Sequence, residues 1–300
     1  MSDVSTPAFE ATNLTKQFGA VTALSDVSLA LAGPSIIGLI GRNASGKTTL
    51  LRHIVGLQLP TRGDARTLGV ATNRLEHEQF ARIGVVPQTP TFIGWMSVGE
   101  QLRYLSRFYR RWDAARQASL LTLIELDLDS SISGLSTGSL QKLAIVAALC
   151  HHPDLLLLDE PVSNLDPIVR DRFLKLLLDI VQEDHATIVV SSHVLHDIES
   201  TVDWIVCLDA GRVAADAALD DLKERYAEWR VQARTRDLPG HFGDAFVIRQ
   251  TVTPPRSARL VVRTGEADLA AFQRAYDADV EATPLNLQGL FPILIDGGRN

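Results

Sequence analysis

The stretch SIIGLIGRNASGKTTLLRHIVGL, residues 35–57, decides the fold. Its first part, SIIGLIG (35–41), is a compact apolar run that predicts a buried strand, and TTLLRHIVGL (48–57) predicts a helix. Between them lies Gly41-Arg-Asn-Ala-Ser-Gly46-Lys47-Thr48, which matches the pattern G-x-x-x-x-G-K-[ST]. A strand, a glycine-rich loop and a helix in this order open an α/β unit, and we predict that the loop binds phosphate.

Each part of this loop has a physical purpose. Backbone N–H groups must wrap a phosphate, so glycine is needed where a side chain would block the approach or where φ must be positive. The helix that follows points its positive N-terminus at the same anion. We expect Lys47 to bridge the terminal phosphates and the hydroxyl of Thr48 to bind Mg²⁺.

A second apolar run, LLLLDE, ends in Asp159 and Glu160. Strands often end in a solvated acidic turn, so the run alone is weak evidence. After a phosphate loop, however, a buried strand that delivers a carboxylate at its C-terminal end is the usual way of holding Mg²⁺. We predict that Asp159 holds the metal and that Glu160 is the general base for an attacking water.

The class is narrowed by Leu135-Ser136-Thr137-Gly138-Ser139, which stands before the Asp159 strand. Read alone, a Ser/Gly turn that opens a helix is an ordinary N-cap. In this order of motifs it resembles the LSGGQ signature of ATP-binding cassette (ABC) proteins. Thr137 and Ser139 depart from that string. Ser136 and Gly138, which the resemblance implies to touch phosphate, are both present.

The resemblance extends over roughly residues 9–215 and implies further roles. Phe18 would stack on adenine, Gln88 would reach Mg²⁺ and sense a membrane partner, Asp166 in SNLD would couple two active sites, and His193 would contact the γ-phosphate. The loop contacts to ATP would come from Gly41, Asn43, Ser45, Gly46, Lys47, Thr48 and Thr49. Arg42 and Ala44 replace a proline and a glycine common in the family, and alanine at 44 is suitable only where φ is not positive.

The predicted fold class is α/β, a P-loop ABC cassette followed by a small α+β appendage. The cassette, residues 9–217, would have a parallel sheet core, an antiparallel β subdomain that begins with strands in 9–31, and a helical subdomain at about 90–149. Strands at 155–159 and 187–192 would flank a helix. The appendage, 218–300, follows a helix at about 214–228 and would contain strands 229–234, 245–252 and 258–264 and helices 267–277 and 287–295, with Pro292 bending or shortening the last. Residues 1–8 are expected to be a disordered leader.

Composition limits the function classes. The chain has 300 residues, 46% of them hydrophobic, and a net charge of −7, which argues against a general nucleic-acid binder. The two cysteines, Cys150 and Cys207, lie in apolar runs and are expected in a reduced core. We find no secretory signal and no apolar run long enough to span a membrane. If the protein works at a membrane, another molecule would have to anchor it to that membrane.

By resemblance, two such cassettes sandwich two ATP molecules and drive a separate transmembrane permease, in an exporter-type system. The second cassette would be an identical or a different chain, and the protein would be cytoplasmic, peripheral on the inner face of the cell membrane. One alternative is a soluble ABC ATPase of translation or DNA repair. Another is a pseudo-ATPase that serves as a structural subunit.

Overall fold

The computed structural model describes residues 6–297, which form two compact units with the boundary between Asp216 and Ala217. Residues 1–5 of the expected leader and residues 298–300 of the expected appendage lie outside the described residues. The leader prediction is wrong for Ala8, which is buried and whose carbonyl accepts a hydrogen bond from the Leu68 N–H at 2.9 Å. Within 6–297, every helix is too short or too polar to cross a bilayer.

The first unit contains a four-stranded and a six-stranded sheet. Its strands are β1 (Phe9–Phe18), β2 (Val21–Leu31), β3 (Ser35–Gly41), β4 (Arg62–Thr67), β5 (Val70–Ala71), β6 (Ile83–Val86), β7 (Leu155–Asp159), β8 (Thr187–Ser192), β9 (Trp204–Asp209) and β10 (Arg212–Ala218). Its helices are α1 (Lys47–Ile54), α2 (His77–Phe80), α3 (Val98–Ser106), α4 (Ala114–Leu123), α5 (Thr137–Leu149), α6 (Pro167–Asp184) and α7 (Leu195–Ile198).

The six-stranded sheet, in the order β10-β9-β3-β8-β7-β6, brings the motifs together. Strands β9, β3, β8, β7 and β6 pair in parallel, so their carboxyl ends meet at one edge. Every residue of β7 and β8 is buried, as expected for strands covered on both faces. The phosphate loop follows β3, Asp159 ends β7, His193 follows β8 and Gln88 follows β6.

The four-stranded antiparallel sheet has the order β2-β1-β4-β5. Strand β1 pairs with β2, with Phe9 opposite Leu31, which confirms the antiparallel piece predicted at 9–31. One apolar cluster joins this sheet to β3 through α1, with Leu14, Leu24 and Ile54 fully buried. Strands β4 and β5 were not predicted, because the sequence of β4 is charged and mostly exposed and β5 has only two residues.

The helical segment contains α3, α4 and α5. Ser97 caps α3, and its side chain and that of Glu100 exchange hydrogen bonds with each other's backbone N–H groups, which forms a capping box. His152, after α5, lies between the carboxylates of Asp113 (3.2 Å) and Asp184 (3.0 Å) and so ties α4 to α6. His152 therefore has a structural role.

His151 makes stability depend on pH. Its Nε2 lies 3.2 Å from the Ile83 carbonyl and its ring stacks on Tyr109, and burial lowers its pKa from 6.5 to about 4. The unfolded chain therefore binds this proton first, so the stabilisation is complete above pH 6.5 and is lost as pH falls towards 4. We expect His151→Phe to remove up to about 3 kcal/mol of the fall in unfolding free energy over that range. Urea unfolding at several pH values measures it, with exposed His196→Gln as control; an unaltered slope in His151→Phe contradicts it.

The second unit is a four-stranded antiparallel sheet in the order β12-β13-β11-β14. Its strands are β11 (Tyr226–Ala233), β12 (Val247–Thr253), β13 (Ser257–Arg263) and β14 (Ala278–Pro284), and its helices are α8 (Leu219–Arg225), α9 (Leu269–Tyr276) and α10 (Leu287–Gly297). Trp229, Phe242 and Phe272 form an aromatic centre between the sheet and α9.

Three details of the appendage prediction need correction. The helix expected at about 214–228 covers only 219–225, because 214–218 belong to β10 and 226–228 to β11. Strand β14 was not predicted, since only its core-side residues pack while Glu281 and Ala282 are exposed. Of the two effects predicted for Pro292, shortening is wrong, because helix α10 continues to Gly297, and bending stays a prediction.

Candidate functional site

The carboxyl edge of the parallel sheet opens into a cavity of about 500 Å³ within the first unit. It brings together most of the residues singled out by sequence. The lining residues are Phe18, Val21, Thr22, Ala23, Asn43, Ala44, Ser45, Gly46, Lys47, Thr48, Thr49, Gln88, Asp159 and Glu160.

The loop is shaped for close backbone approach. Gly46 has φ 107°, and a Cβ there would lie 2.7 Å from the Ala23 carbonyl oxygen. A Cβ on Gly41 would lie 2.4 Å from the Leu208 carbonyl oxygen. The buried Oγ of Ser45 has no hydrogen-bond partner among the described residues, so a hydroxyl remains for a ligand that accepts or donates. These features fit an anion with several acceptor oxygens.

Lys47 carries the positive charge that lines the cavity. It is mostly buried, and its Nζ donates to the carbonyls of Gly41 (2.8 Å) and Arg42 (3.2 Å). Burial lowers the pKa of this ammonium, while the nearby carboxylates of Glu160 and Asp159 act in the opposite direction. A desolvated cation beside backbone N–H groups is suited to a polyphosphate.

Ala44 does not meet the condition under which alanine suits this position, a φ that is not positive. Its φ is 63°, in the left-handed region where an L side chain is strained. The loop therefore adopts the conformation in which glycine is favoured, with alanine in its place.

We expect Ala44→Gly to raise the free energy of unfolding by about 0.5–1 kcal/mol, because relief of the strain exceeds the added entropy of the unfolded chain. Urea unfolding measures the change. Ala118→Gly, at an exposed position inside α4, should instead lower stability by about 1 kcal/mol. Equal losses in both variants would contradict the account of Ala44.

The residues expected to hold Mg²⁺ lie side by side. The hydroxyl of Thr48 donates to Asp159 Oδ2 at 2.9 Å, and Gln88 lines the same cavity. Within 6–297, no group of three or more His, Cys, Asp and Glu residues could hold a metal. The oxygen donors of Thr48, Asp159 and Gln88 nevertheless fit Mg²⁺, which binds through one or two carboxylates together with substrate phosphates.

Glu160 contacts His193, the residue expected to contact the γ-phosphate. Nδ1 of His193 lies 2.5 Å from Glu160 Oε2. The Glu160 side chain is 10% exposed and that of His193 is 53% exposed, so a buried carboxylate meets a histidine open to solvent. Glu160 has φ 54°, the kind of backbone outlier that clusters at functional sites.

Phe18 stands at the mouth of the cavity. It is 47% exposed, and the ammonium of Lys16 lies 5.0 Å from the ring centroid. An exposed ring at the edge of a nucleotide-sized cavity offers a surface on which a base can stack.

Ser136, Gly138 and Asp166 form a second cluster and do not line the cavity. Ser136 caps α5 and Asp166 caps α6, where its Oδ1 accepts from Val169 N at 3.0 Å. A Cβ on Gly138 would lie 2.5 Å from the Asn164 carbonyl, so the SNLD turn packs on the signature turn. One chain alone does not bring these residues to its own phosphate loop.

An apolar groove of about 390 Å³ lies in the same unit, between α2, the 85–92 segment and α5. Phe80 and Val85 in its wall are 46% and 42% exposed, and Leu57 is 74% exposed. A smaller cavity of about 200 Å³ shares Leu57 and Val85 with the groove and also touches Thr48, Gln88 and Asp159. The groove and the nucleotide cavity therefore adjoin the same short segment.

Sequence reasoning missed several residues of the site. Val21, Thr22 and Ala23 line the cavity as the start of β2, and their text carries no motif. Ser191 was also missed, although the two serines that end the buried strand β8 are a usable signal. The cysteines are as predicted, since both are buried and free, and burial raises the pKa of each thiol to about 12.

Comparison with known proteins identifies the family. The profile described as ABC transporter matches residues 24–163. The bacitracin transport ATP-binding protein BcrA of Enterococcus faecalis is 33% identical over 227 residues, 74% of this chain and 74% of that protein. The Nod factor export ATP-binding protein I of Rhizobium meliloti (strain 1021) is 31% identical over 289 residues, 95% of this chain and 82% of that protein.

Comparison with solved structures indicates the same family. An ATP-binding subunit of an ABC transporter superposes with a TM-score of 0.67 at 30% identity, covering 72% of this chain and 92% of that chain. A dimeric ATP-binding cassette in a post-hydrolysis state, bound to ADP and Pi, gives a TM-score of 0.63 at 27% identity, covering 70% and 98%. The relatives are transport proteins, so the alternative of a soluble ABC ATPase of translation or repair is not supported. The predicted family and fold are confirmed: the chain belongs to the ATP-binding subunits of ABC transporters and is an ATPase of that family.

Proposed function

We propose that the chain is the motor of an exporter, in which two cassettes close on ATP and move a separate membrane permease. The observation that carries this proposal is the segment 85–88, in which Val85 and Pro87 line the apolar groove and Gln88 lines the nucleotide cavity. Residues 9–217 would be the cassette and 218–300 an accessory domain. The names of the relatives, bacitracin transport and Nod factor export, favour export.

The nucleotide would be held from three sides. The N–H groups of the loop and of the first turn of α1, including those of Asn43 and Thr49, would surround the phosphates, and the unpartnered hydroxyl of Ser45 would add a further donor. Lys47 turns from its carbonyl partners to the terminal phosphates, and Phe18 stacks on the base.

Thr48, Asp159 and Gln88 would hold Mg²⁺, which when bound neutralises charge on the phosphates. Glu160 Oε2 takes the proton of the attacking water, because its carboxylate ends at the cavity. His193, in contact with that oxygen, would hold the carboxylate in place and contact the γ-phosphate.

The second cassette would complete each site. Ser136 and Gly138 bind the phosphate on the opposite chain, because they lie outside the cavity of their own chain while the N-terminus of α5 remains an anion site. Asp166 couples the two sites through the SNLD turn. Hydrolysis removes the γ-phosphate contacts and separates the cassettes. The partner cassette is either an identical or a different chain.

The mass of the Glu160→Gln variant in solution, with and without ATP, tests the closure. A monomer that becomes a dimer with ATP, and fails to do so when Lys47→Ala is added, would support the composite site and a homodimer. A monomer that binds ATP but never dimerises would reject the homodimer.

The groove would receive a short cytoplasmic helix of the permease, since its walls are apolar and its rim side chains are exposed. This contact would hold the protein at the cytoplasmic face of the membrane. A photo-crosslinking residue at Leu57 should yield an adduct with an integral membrane protein in intact cells, and one at exposed Arg274 on α9 should not. Equal labelling from both positions would argue against the groove.

A further inference from the structure

Ser191, near the end of β8, is the residue in which the two acidic positions of the site meet. Its side chain is fully buried. Its hydroxyl donates to Asp159 Oδ1 at 2.6 Å and accepts from the Glu160 N–H at 3.0 Å. Strands β7 and β8 set this contact, because Asp159 and Ser191 are direct partners in the parallel register.

The two hydrogen bonds of the Ser191 hydroxyl restrict the rotation of the Asp159 carboxylate and the backbone conformation of Glu160. Asp159 Oδ2 accepts from Thr48 and Oδ1 accepts from Ser191, so hydroxyls at both oxygens fix the rotation of the carboxylate. Glu160 has a left-handed φ of 54°, and its buried N–H needs an acceptor to remain in that conformation. A single hydroxyl therefore controls the orientation of one acidic side chain and the backbone of the next.

We propose that Ser191 is a positioning residue for the hydrolysis reaction. Its hydroxyl aligns Asp159 for the divalent cation and Glu160 for the attacking water. This inference rests on the roles proposed above for Asp159 and Glu160. Outer hydrogen-bond partners of a metal ligand orient it, and their loss typically lowers metal affinity or activity about 10–100-fold.

The adjacent serine provides a matched control. Ser192 is also buried, but its hydroxyl bonds only to the backbone of Val194, at 3.0 and 3.1 Å, among the described residues. Removing either hydroxyl deletes one oxygen from the same strand, and only Ser191 contacts the acidic pair.

The experiment compares Ser191→Ala, Ser191→Thr and Ser192→Ala in the full chain. Mn²⁺ replaces Mg²⁺ as probe, and its affinity in the presence of ATP is measured by electron paramagnetic resonance. ATP affinity in EDTA, kcat and the KM for ATP are measured alongside. In Ser191→Ala we expect Mn²⁺ affinity and kcat each to fall about 10-fold, with unchanged ATP affinity in EDTA. Ser191→Thr keeps the hydroxyl and should restore both, and Ser192→Ala should resemble the unaltered chain.

Two results would overturn the inference. One is a Ser191→Ala variant with normal Mn²⁺ affinity and kcat. The other is a variant that loses ATP affinity equally with and without the cation, which would indicate general damage to the site. Asp159→Asn separates this inference from the proposed site. If Asp159→Asn lowers Mn²⁺ affinity and Ser191→Ala does not, only the inference fails. If Asp159→Asn leaves Mn²⁺ affinity unchanged, the metal assignment fails and the inference with it.

Discussion

Replacing Glu160 by glutamine is expected to lower ATP turnover about 10²–10⁴-fold while ATP binding is retained. The carboxylate is the base in the proposed mechanism, and glutamine keeps its size but cannot take a proton. The amide can still meet His193, so the contact at Oε2 keeps a hydrogen-bonding partner. Thr48, Asp159 and Gln88 are unchanged, and the metal and the phosphates should bind as before.

Phosphate release measures turnover, and a fluorescent ATP analogue measures binding. Glu183→Gln, on α6 and away from the cavity, is a matched control that removes one carboxylate and should hydrolyse ATP normally. Turnover by Glu160→Gln within a few-fold of the unaltered chain would show that another group accepts the proton.

Much of the cassette could be predicted because its signals are local. SIIGLIG, LLLLD and TIVVSS are short, mostly apolar or β-branched runs, and β3, β7 and β8 begin and end where these runs do. Parallel strands buried on both faces leave few other interpretations. Because the carboxyl ends of adjacent parallel strands meet at one edge, the pairing of β3 and β7 with β8 brings Lys47, Asp159 and His193 near one another.

The parts that were missed depend on contacts between distant segments. Strands β4 and β5 are held by pairing with β1, since Ala65 opposite Ala11 supplies the register while the text RGDART is polar. Strand β14 similarly forms because β11 offers it an edge. Strand pairing outweighs weak β-propensity at such positions.

Several details of the site could not be predicted either, because they also depend on contacts between distant segments. The hydroxyl of Ser191 matters because β8 lies beside β7, which a motif in one segment does not show. The φ of Ala44 is imposed by the loop as a whole, so the residue type alone does not predict it. The placement of Ser136 and Gly138 outside their own cavity likewise follows from the packing of α5 against the SNLD turn.

Lys47→Ala is expected to raise the dissociation constant for ATP about 10–100-fold, the loss of one charge-assisted hydrogen-bonded contact. Its ammonium is mostly buried between the loop carbonyls and the two carboxylates, so no surface cation can replace it. Calorimetric titration at fixed Mg²⁺ and salt gives the constant. Lys175→Ala, on the exposed face of α6, removes the same charge away from the cavity and should bind ATP normally.

The direction of the effect on kcat separates two explanations for Lys47. If the ammonium binds ground state and transition state equally, Lys47→Ala raises KM with little change in kcat. If it stabilises charge that moves between the phosphates, kcat falls as well, even when ATP is saturating. Because Lys47 also donates to the Gly41 carbonyl, the unfolding midpoint of the variant must match that of Lys175→Ala before affinities are compared. An unchanged ATP dissociation constant in a folded Lys47→Ala variant would contradict the phosphate-loop assignment, since no other ammonium group lines the cavity among the described residues.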